Sequence, residues 1–411
     1  MSFANSATAD PDSISVNATP TLSTALVIFL AFCCGAVVAN LYYAQPIVEM
    51  IAPSIGLSTA HASLIVSLTQ FGYALGLLFL VPLADLLENR RLLVGFTLAV
   101  ALCLAAAALS RTPSLFLVSS LLIGLTSVAV QILVPLAAHM APEASRGRVV
   151  GNIMSGLLLG ILLSRPLAST LAEAFGWRGV FYSAAVLMAV MAVVMGRVLP
   201  RRVPAHQASY AALIASVFAL ARRHAVLRER SLYQGLLFAS FSSFWTIAPI
   251  ELVRQHGFSQ NQVALFALVG AVGAVAAPIA GRLADAGHGL RGTTVALLLA
   301  PLSLLAGALP GAGWVWMVVA AVLLDFAVQL NMVLGQREVY ALDPNSRARL
   351  NAVYMTSIFV GGAFGSLIAS PLYEHLGWAS FSGLSALFPA LALLLFLLHS
   401  NMKKSTDVQV N

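Results

Sequence analysis

Two ionisable residues lie inside long apolar runs, away from any loop. Asp325 stands about 11 residues into the run 313–337, and Arg165 lies within the run 148–172. At 1.5 Å of rise per residue, Asp325 is roughly 16 Å below the start of its helix. A charge in hydrocarbon is costly, and such residues are retained chiefly where they carry protons, ions or substrates. An acid at that depth is suited to load a proton on one side and release it on the other. The alternative is a structural carboxyl hydrogen-bonded to its neighbours. Three roles are open to Arg165: attracting an anionic substrate, pairing with an acid (Asp325 among the choices), or holding the packing of its own helix.

A second tier of residues could line a cavity. Asn40, Tyr43, Gln45, Gln70, Tyr73, Gln131, Gln329, Asn331 and Asn351 are polar positions within apolar runs. Each is equally suited to an interhelical hydrogen bond. Phe238, Phe241, Phe244 and Trp245 are spaced so that most share one helical face. That face fits an aromatic cavity wall for a lipophilic substrate, or a packing stripe. Glu49 and Glu251 follow Pro46 and Pro249 near the ends of their runs, and the matched positions suggest a gate. The histidines have no metal-ligand spacing, so no metal site is expected. No catalytic constellation and no cofactor motif is found. Lys403 and Lys404 are the only lysines, which excludes a P-loop and a lysine Schiff base within the membrane.

The elements that must position these residues are membrane helices. Sixty per cent of the 411 residues are hydrophobic and 9% are charged, against about a quarter charged in soluble domains. A soluble fold would present a large apolar surface to water, so the natural solvent is lipid. Twelve runs of spanning length lie near 22–45, 60–84, 91–110, 114–140, 148–172, 178–197, 231–253, 261–283, 292–309, 313–337, 350–372 and 378–399. Cys33, Cys34 and Cys103 all fall inside these runs, as small packing residues.

The net charge of +7 is explained by topology and not by nucleic acid. With the N-terminus in the cytoplasm, eighteen of the 22 lysines and arginines fall on the cytoplasmic side. Only Arg111, Arg178 and Arg254 fall outside. This is the positive-inside pattern. The expected order is a cytoplasmic tail (1–21), a six-helix bundle (22–197), a basic linker (198–230), a second six-helix bundle (231–399) and a cytoplasmic tail (400–411). Within the linker, Tyr210 to Leu227 alternates apolar and basic faces and reads as an amphipathic helix on the anionic inner leaflet.

The halves repeat. Ala168-Ser169-x-Leu171-x-Glu173-x-x-Gly176-Trp177 recurs as Ala369-Ser370-x-Leu372-x-Glu374-x-x-Gly377-Trp378. Ser145-Arg146-x-Arg148 recurs as Ser346-Arg347-x-Arg349, Leu83-Ala84-Asp85 as Leu283-Ala284-Asp285, and Ala129-Val130-Gln131 as Ala327-Val328-Gln329. Parallel repeats of this kind build transporters whose site lies between the halves.

On these residues the chain resembles the major facilitator superfamily over essentially its whole length. The loop Pro82-Leu83-Ala84-Asp85-Leu86-Leu87-Glu88-Asn89-Arg90-Arg91 is similar to that family's loop motif, with Val81, Leu86 and Glu88 departing from it. Gly281-Arg282-Leu283-Ala284-Asp285 matches the start of the motif in the second half. The resemblance implies a cytoplasmic gate latch at Asp85, Arg90, Arg91 and Asp285. Gly151, Gly156, Gly160 and Arg165-Pro166 are similar to the glycine–proline motif of proton-driven antiporters, with Arg165 where that motif has glycine. Asn40-Leu41-Tyr42-Tyr43-Ala44-Gln45-Pro46 resembles bacterial members of the same broad group. The implied protein is an all-α, twelve-helix transporter of the bacterial inner membrane. It is expected to be monomeric, with both termini cytoplasmic, exporting small amphipathic compounds in exchange for protons. The alternative is a proton symporter importing an organic anion or a sugar.

Overall fold

The computed structural model describes residues 23–204, 209–309 and 313–410. The N-terminal tail 1–21 and His206 of the linker lie outside the described residues. Every regular element among the described residues is helical. Span 1 is α1 (Thr24–Ala39) followed by α2 (Val48–Ser54). Span 2 is α3 (Leu64–Leu75), which widens into a π turn (Gly76–Leu80) and then tightens into a 3-10 turn (Val81–Asp85). Span 3 is α4 (Asn89–Leu109), and span 4 is α5 (Pro113–Thr126) with α6 (Ala129–Met140). The continuous α7 (Arg146–Val198) supplies spans 5 and 6. After the linker helix α8 (Tyr210–Arg223) come α9 (Ala225–His256), span 7, and α10 (Gln260–Gly270) with α11 (Ala276–Asp285), span 8. Spans 9 and 10 are α12 (Gly289–Gly307) and α13 (Trp314–Ala341). Span 11 opens α14 (Arg347–Ser385), whose end joins α15 (Leu387–Val410) to make span 12. Among the described residues eight helical stretches are long and apolar enough to cross a membrane alone. Two of these fold back at a glycine, and two further spans are built from broken segments, which yields twelve in two six-helix halves.

The internal repeat has a structural cause. Gly176 (φ 73°, ψ 165°) and Gly377 (φ 71°, ψ 176°) turn the chain from span 5 into 6 and from span 11 into 12. That backbone region is essentially open to glycine alone. The tryptophan after each glycine docks its indole: Trp177 donates to Ser54 Oγ at 3.0 Å and Trp378 to the Gly307 carbonyl at 2.8 Å. The Ser-Arg repeat works alike in both halves. Arg146 Nε donates to the Ala138 carbonyl (3.0 Å) and Arg347 Nε to the Tyr340 carbonyl (3.3 Å), tying spans 4 to 5 and 10 to 11. Gly35 and Gly160 let spans 1 and 5 touch backbone to backbone, since a Cβ on either would overlap the other helix.

Two boundaries differ from the sequence reading. The α9 helix starts at Ala225, inside the stretch 198–230 assigned to the linker, because the apolar face of span 7 continues back through buried Leu227. The predicted tail 400–411 continues α15 to Val410, there being no glycine or proline to stop it. The linker helix buries Leu213, Val217 and Leu220, one face at helical spacing. Tyr210 donates to the Phe79 carbonyl at 2.8 Å. Its apolar face is thus packed on the bundle, and the arginines Arg222 and Arg223 are left exposed.

Gly176→Ala and Gly377→Ala are each expected to destabilise the protein by about 1–3 kcal/mol, and Gly160→Leu by more, because a backbone carbonyl cannot rotate away as a side chain can. Denaturant melts in detergent check the order, with Gly151→Ala, which meets open space, as the near-neutral control.

Candidate transport site

The α1 helix does not run smoothly into α2. From Asn40 to Ile47 the backbone makes i→i−3 bonds (Asn40 to Val37, Leu41 to Val38, Tyr42 to Ala39, Gln45 to Tyr42, Ile47 to Ala44), and Pro46 has no N–H to give. Tightened turns inside a helix often mark functional hinges. This one presents Tyr42 and Gln45 to span 5, where Arg165 meets them. Arg165 is 5% exposed. Its Nε donates to Gln45 Oε1 at 2.8 Å. Three rings surround its Cζ: Trp245 at 4.5 Å, Tyr42 at 5.1 Å and Phe241 at 5.4 Å. Cation–π attraction is worth about 2 kcal/mol or more when desolvated, which offsets part of the cost of burying the charge. Two buried donors remain unpaired, Arg165 Nη2 and Gln45 Nε2.

Trp245 also faces the second half of the pair. Its Nε1 donates to Asp325 Oδ1 at 2.8 Å. Span 8 makes room for this carboxylate. A Cβ on Gly270 would lie 2.5 Å from the Trp245 ring and 3.1 Å from Asp325 Oδ2, and one on Gly273 would overlap the Asp325 side chain. Asp325 is only partly buried. It makes no ion pair within 4.0 Å with Arg165, although the two charges interact electrostatically. The structure therefore brings Arg165 from the first half and Asp325 from the second to one indole.

From Trp245 a continuous aromatic band runs toward the end that carries the basic loops. Ring centroids are 6.5 Å apart for Trp245 and Phe241, 5.1 Å for Phe241 and Phe238, 5.3 Å for Phe238 and Phe359, and 4.5 Å for Phe359 and Tyr73. Tyr73 then accepts from Gln131 Nε2 at 3.2 Å. Gln131 lines a cavity of about 120 Å³ at that basic end, walled by residues of both halves including Asp85, Asn89, Arg202 and Arg349.

The other sequence candidates are dispersed. Gln70 bridges the halves, donating to Ser242 Oγ at 2.5 Å, and Ser242 meets Ser366 at 2.7 Å. Asn40 faces span 6, donating to the Val37 carbonyl and to Met188 Sδ. Asn331 donates to Gln234 Oε1 at 2.6 Å within the second half. Asn351 accepts from Tyr340 Oη and Gln336 Nε2 at 2.9 and 3.1 Å near the basic end. Tyr43 is buried and Gln329 is half-buried. Asp85 is exposed and, among the described residues, makes no ion pair within 4.0 Å. Arg90 and Arg91 turn to Glu88 instead, at 4.0 and 3.0 Å. Asp285 pairs with Arg337 at 2.6 Å within its own half.

The opposite end, by contrast, is latched. Arg254 of span 7 holds Glu49 of span 1 through two bonds (2.7 and 3.0 Å) and Glu374 of span 11 through a third (2.7 Å). Glu173 accepts from the Gln260 backbone N–H at 3.1 Å, and Ser63 and Ser370 exchange backbone-to-hydroxyl bonds at 3.1 and 3.3 Å. Glu251 accepts from Tyr373 Oη at 2.6 Å. The halves are thus held together at the far end, with a cavity between them at the basic end.

Sequence reading passed over Tyr42, Arg254, Ser242 and Ser366, because a tyrosine beside its twin, an end-of-span arginine and interior serines all have ordinary packing roles. It also counted Arg230 as a linker charge. Arg230 is buried in span 7, where it pairs with Glu338 and donates to Thr293 Oγ1 at 2.9 Å.

The sequence profile of the Major Facilitator Superfamily matches residues 27–286 and 231–409. "Uncharacterized transporter YgaY" of Escherichia coli is 43% identical over 359 residues, covering 87% of this chain and 91% of its own. "Probable transporter SCO4007" of Streptomyces coelicolor is 32% identical over 352 residues, covering 85% and 81%. Among solved structures, a bacterial homologue of the human lysosomal transporter Spinster, inward-facing and unoccupied, superposes with a TM-score of 0.73 at 15% identity (91% of this chain, 96% of that one). The human organic anion transporter MFSD10 superposes with 0.63 at 19% identity (90% and 98%). At these identities the likeness is one of fold.

Arg254→Gln should weaken the far-end latch. A cysteine placed at Ser370, buried behind that latch, should then label with a membrane-impermeant maleimide several-fold faster than in the Arg254 background. Equal rates would show that the latch does not hold this end closed.

Proposed function

Because the chain belongs to the major facilitator superfamily, we propose that it is a proton-coupled secondary transporter of the bacterial inner membrane, exporting small amphipathic compounds by alternating access. The observation that carries this reading is the single indole, Trp245, shared by Arg165 of one half and Asp325 of the other. A proton on Asp325 removes the negative charge facing Arg165 across the seam between the halves. The occupancy of the site thereby sets how strongly the halves attract at that point, which is what a coupled transporter requires. The aromatic band from Tyr73 to Trp245 offers an apolar wall to an amphipathic cargo.

The basic loops support an orientation with the cavity end in the cytoplasm, by the positive-inside rule. Both termini then lie inside, and the latched end, with Glu49, Arg254 and Glu374, is the outer gate. On that orientation the cavity between the halves faces inward. On this reading Asp85, Arg90, Arg91 and Asp285 belong to the inner gate, whose contacts across the halves form when the outer gate opens. The working unit is a monomer, since one chain supplies both halves of the site. A second reading, import of an organic anion with a proton, is favoured by the unpaired donors beside Arg165.

In everted vesicles holding an acid-inside gradient, adding cargo from a panel of dyes and antibiotics should dissipate the gradient through the wild type. Asp325→Asn should abolish that response while its yield and melting temperature stay unchanged. A full response in Asp325→Asn would remove Asp325 from the coupling. Alkalinisation of the medium by intact cells on adding organic acids, with no response to the dyes, would select import.

A further inference from the structure

We propose that Arg165 and Gln45 form a carboxylate-binding subsite, and that the cargo is an organic monoanion with a flat apolar body. This rests on the second reading above, import of an organic anion with a proton, and narrows its substrate class. Arg165 offers five N–H donors. The structure gives it one hydrogen bond, to Gln45, and leaves Nη2 unpaired in a buried setting. Gln45, 1% exposed, leaves its own Nε2 unpaired as well. The same bond joins the two side chains, so both donors without acceptors belong to one bonded pair. Buried donors are ordinarily satisfied, and what both lack is an acceptor. The three rings around the guanidinium supply none. Asp325, the carboxylate nearest in role, has Oδ1 engaged by Trp245 and is not ion-paired with Arg165. A carboxylate has two coplanar acceptor oxygens, one for each donor, and its charge matches the single positive charge present.

The body of the ligand is indicated by the surroundings. Tyr42, Phe241 and Trp245 enclose the subsite, and the aromatic band leads from it to the cavity at the basic end by way of Tyr73 and Gln131. A planar apolar group beside the carboxylate would lie against Phe241 and Trp245, and the band from there to Tyr73 carries no further buried charge.

The site also fixes the sign of coupling. The charged or titratable groups facing the pair are Arg165 and Tyr42 from the first half and Asp325 from the second, with Trp245 giving a neutral N–H and span 8 giving glycines. The Asp325 carboxylate and a cargo carboxylate compete for one positive charge. Protonating Asp325 ends the competition, so proton and anion bind together and travel in the same direction.

The test is binding to the purified full-length protein in detergent, by calorimetry and thermal shift. The probes are acetate, benzoate, 3-phenylpropionate and indole-3-acetate, each paired with its neutral amide. Aromatic carboxylates are expected to stabilise the wild type, their amides and acetate much less. Arg165→Gln should weaken carboxylate binding more than about 30-fold, and Gln45→Leu about tenfold. Asp325→Asn, standing for the protonated acid, should bind the carboxylates at least about fivefold tighter and with less dependence on pH. No preference for any carboxylate over its amide in the wild type overturns the subsite, with no variant needed. A preference that survives intact in Arg165→Gln overturns it too, and weaker binding in Asp325→Asn overturns the sign of coupling. Carboxylate binding with no proton-driven transport would retain the site and sink the transporter's proton coupling. Proton-driven transport with no carboxylate preference would do the reverse.

Discussion

Everything in the interior is arranged around the burial of one guanidinium. Arg165 is the only basic residue deep within the first half, and an arginine removed from water is tolerated only where something replaces its hydration. The replacement here comes from three directions: Gln45 on a hinge in span 1, the faces of Tyr42, Phe241 and Trp245, and the field of Asp325. Each has its own structural requirement. The Gln45 contact requires span 1 to depart from regular helix between Asn40 and Ile47. The Trp245 contact requires spans 5 and 7 to meet across the two halves. The Asp325 contact requires span 8 to carry glycine at 270 and 273. Backbone irregularity in a membrane is tolerated where protein covers it, and in span 1 the cover is the site itself.

The surroundings of that guanidinium divide the molecule by stiffness. Within each half the packing is close. Gly35 against Gly160 brings spans 1 and 5 to backbone contact, and Gly361 and Gly365 do the same for spans 11 and 7. Between the halves the contacts are of another kind. They mix apolar contacts such as Tyr73–Phe359 with hydroxyl and amide bonds such as Gln70–Ser242–Ser366 and ion pairs at the rim such as Glu49–Arg254–Glu374. Hydrogen bonds of this sort are worth about 0.5–1.5 kcal/mol each and exchange readily for water or for one another, whereas an interlocked glycine seam cannot slide. Close glycine packing thus lies within each half, while the seam between the halves mixes polar and apolar contacts.

How much of this could be read from the sequence follows from what kind of information each feature carries. The twelve spans were legible because apolar length is a one-dimensional property, and the doubled architecture was legible because Gly176-Trp177 and Gly377-Trp378 serve one geometric purpose twice. Asp325 and Arg165 stood out because a charge in an apolar run is rare. Their relation to each other was not legible. Arg165 and Asp325 are 160 positions apart, and what joins them is an indole on a third helix. Tyr42 was hidden because Tyr43 is its neighbour and only helix phase tells them apart, a phase that the turns at Asn40 to Ile47 alter. The Arg254 latch was hidden because an arginine at a span end is ordinary, and only the fold places Glu49 and Glu374 on either side of it. Asn40 and Asn331 show the converse. Rare by type, they are spent on Met188 and Gln234 inside their own halves.

The departure from the glycine–proline motif in span 5 then acquires a physical meaning. The motif's likeness to antiporters rests on small residues that pack span 5 against its neighbours, and Gly156 and Gly160 do pack in this way. Gly151 meets open space, and Arg165 stands where the motif has a glycine. A glycine there would leave a smooth apolar wall between the halves. An arginine leaves a positive charge that must be balanced in every state the protein visits. When Asp325 is ionised the charge is balanced from within. When Asp325 is protonated it is not, and the site lacks one negative charge at the moment a proton has arrived. An anionic cargo restores the balance, a neutral one does not, and a cationic one makes it worse. On the proposed anion subsite, the substitution that breaks the antiporter pattern is thus the one that favours a partner of negative charge.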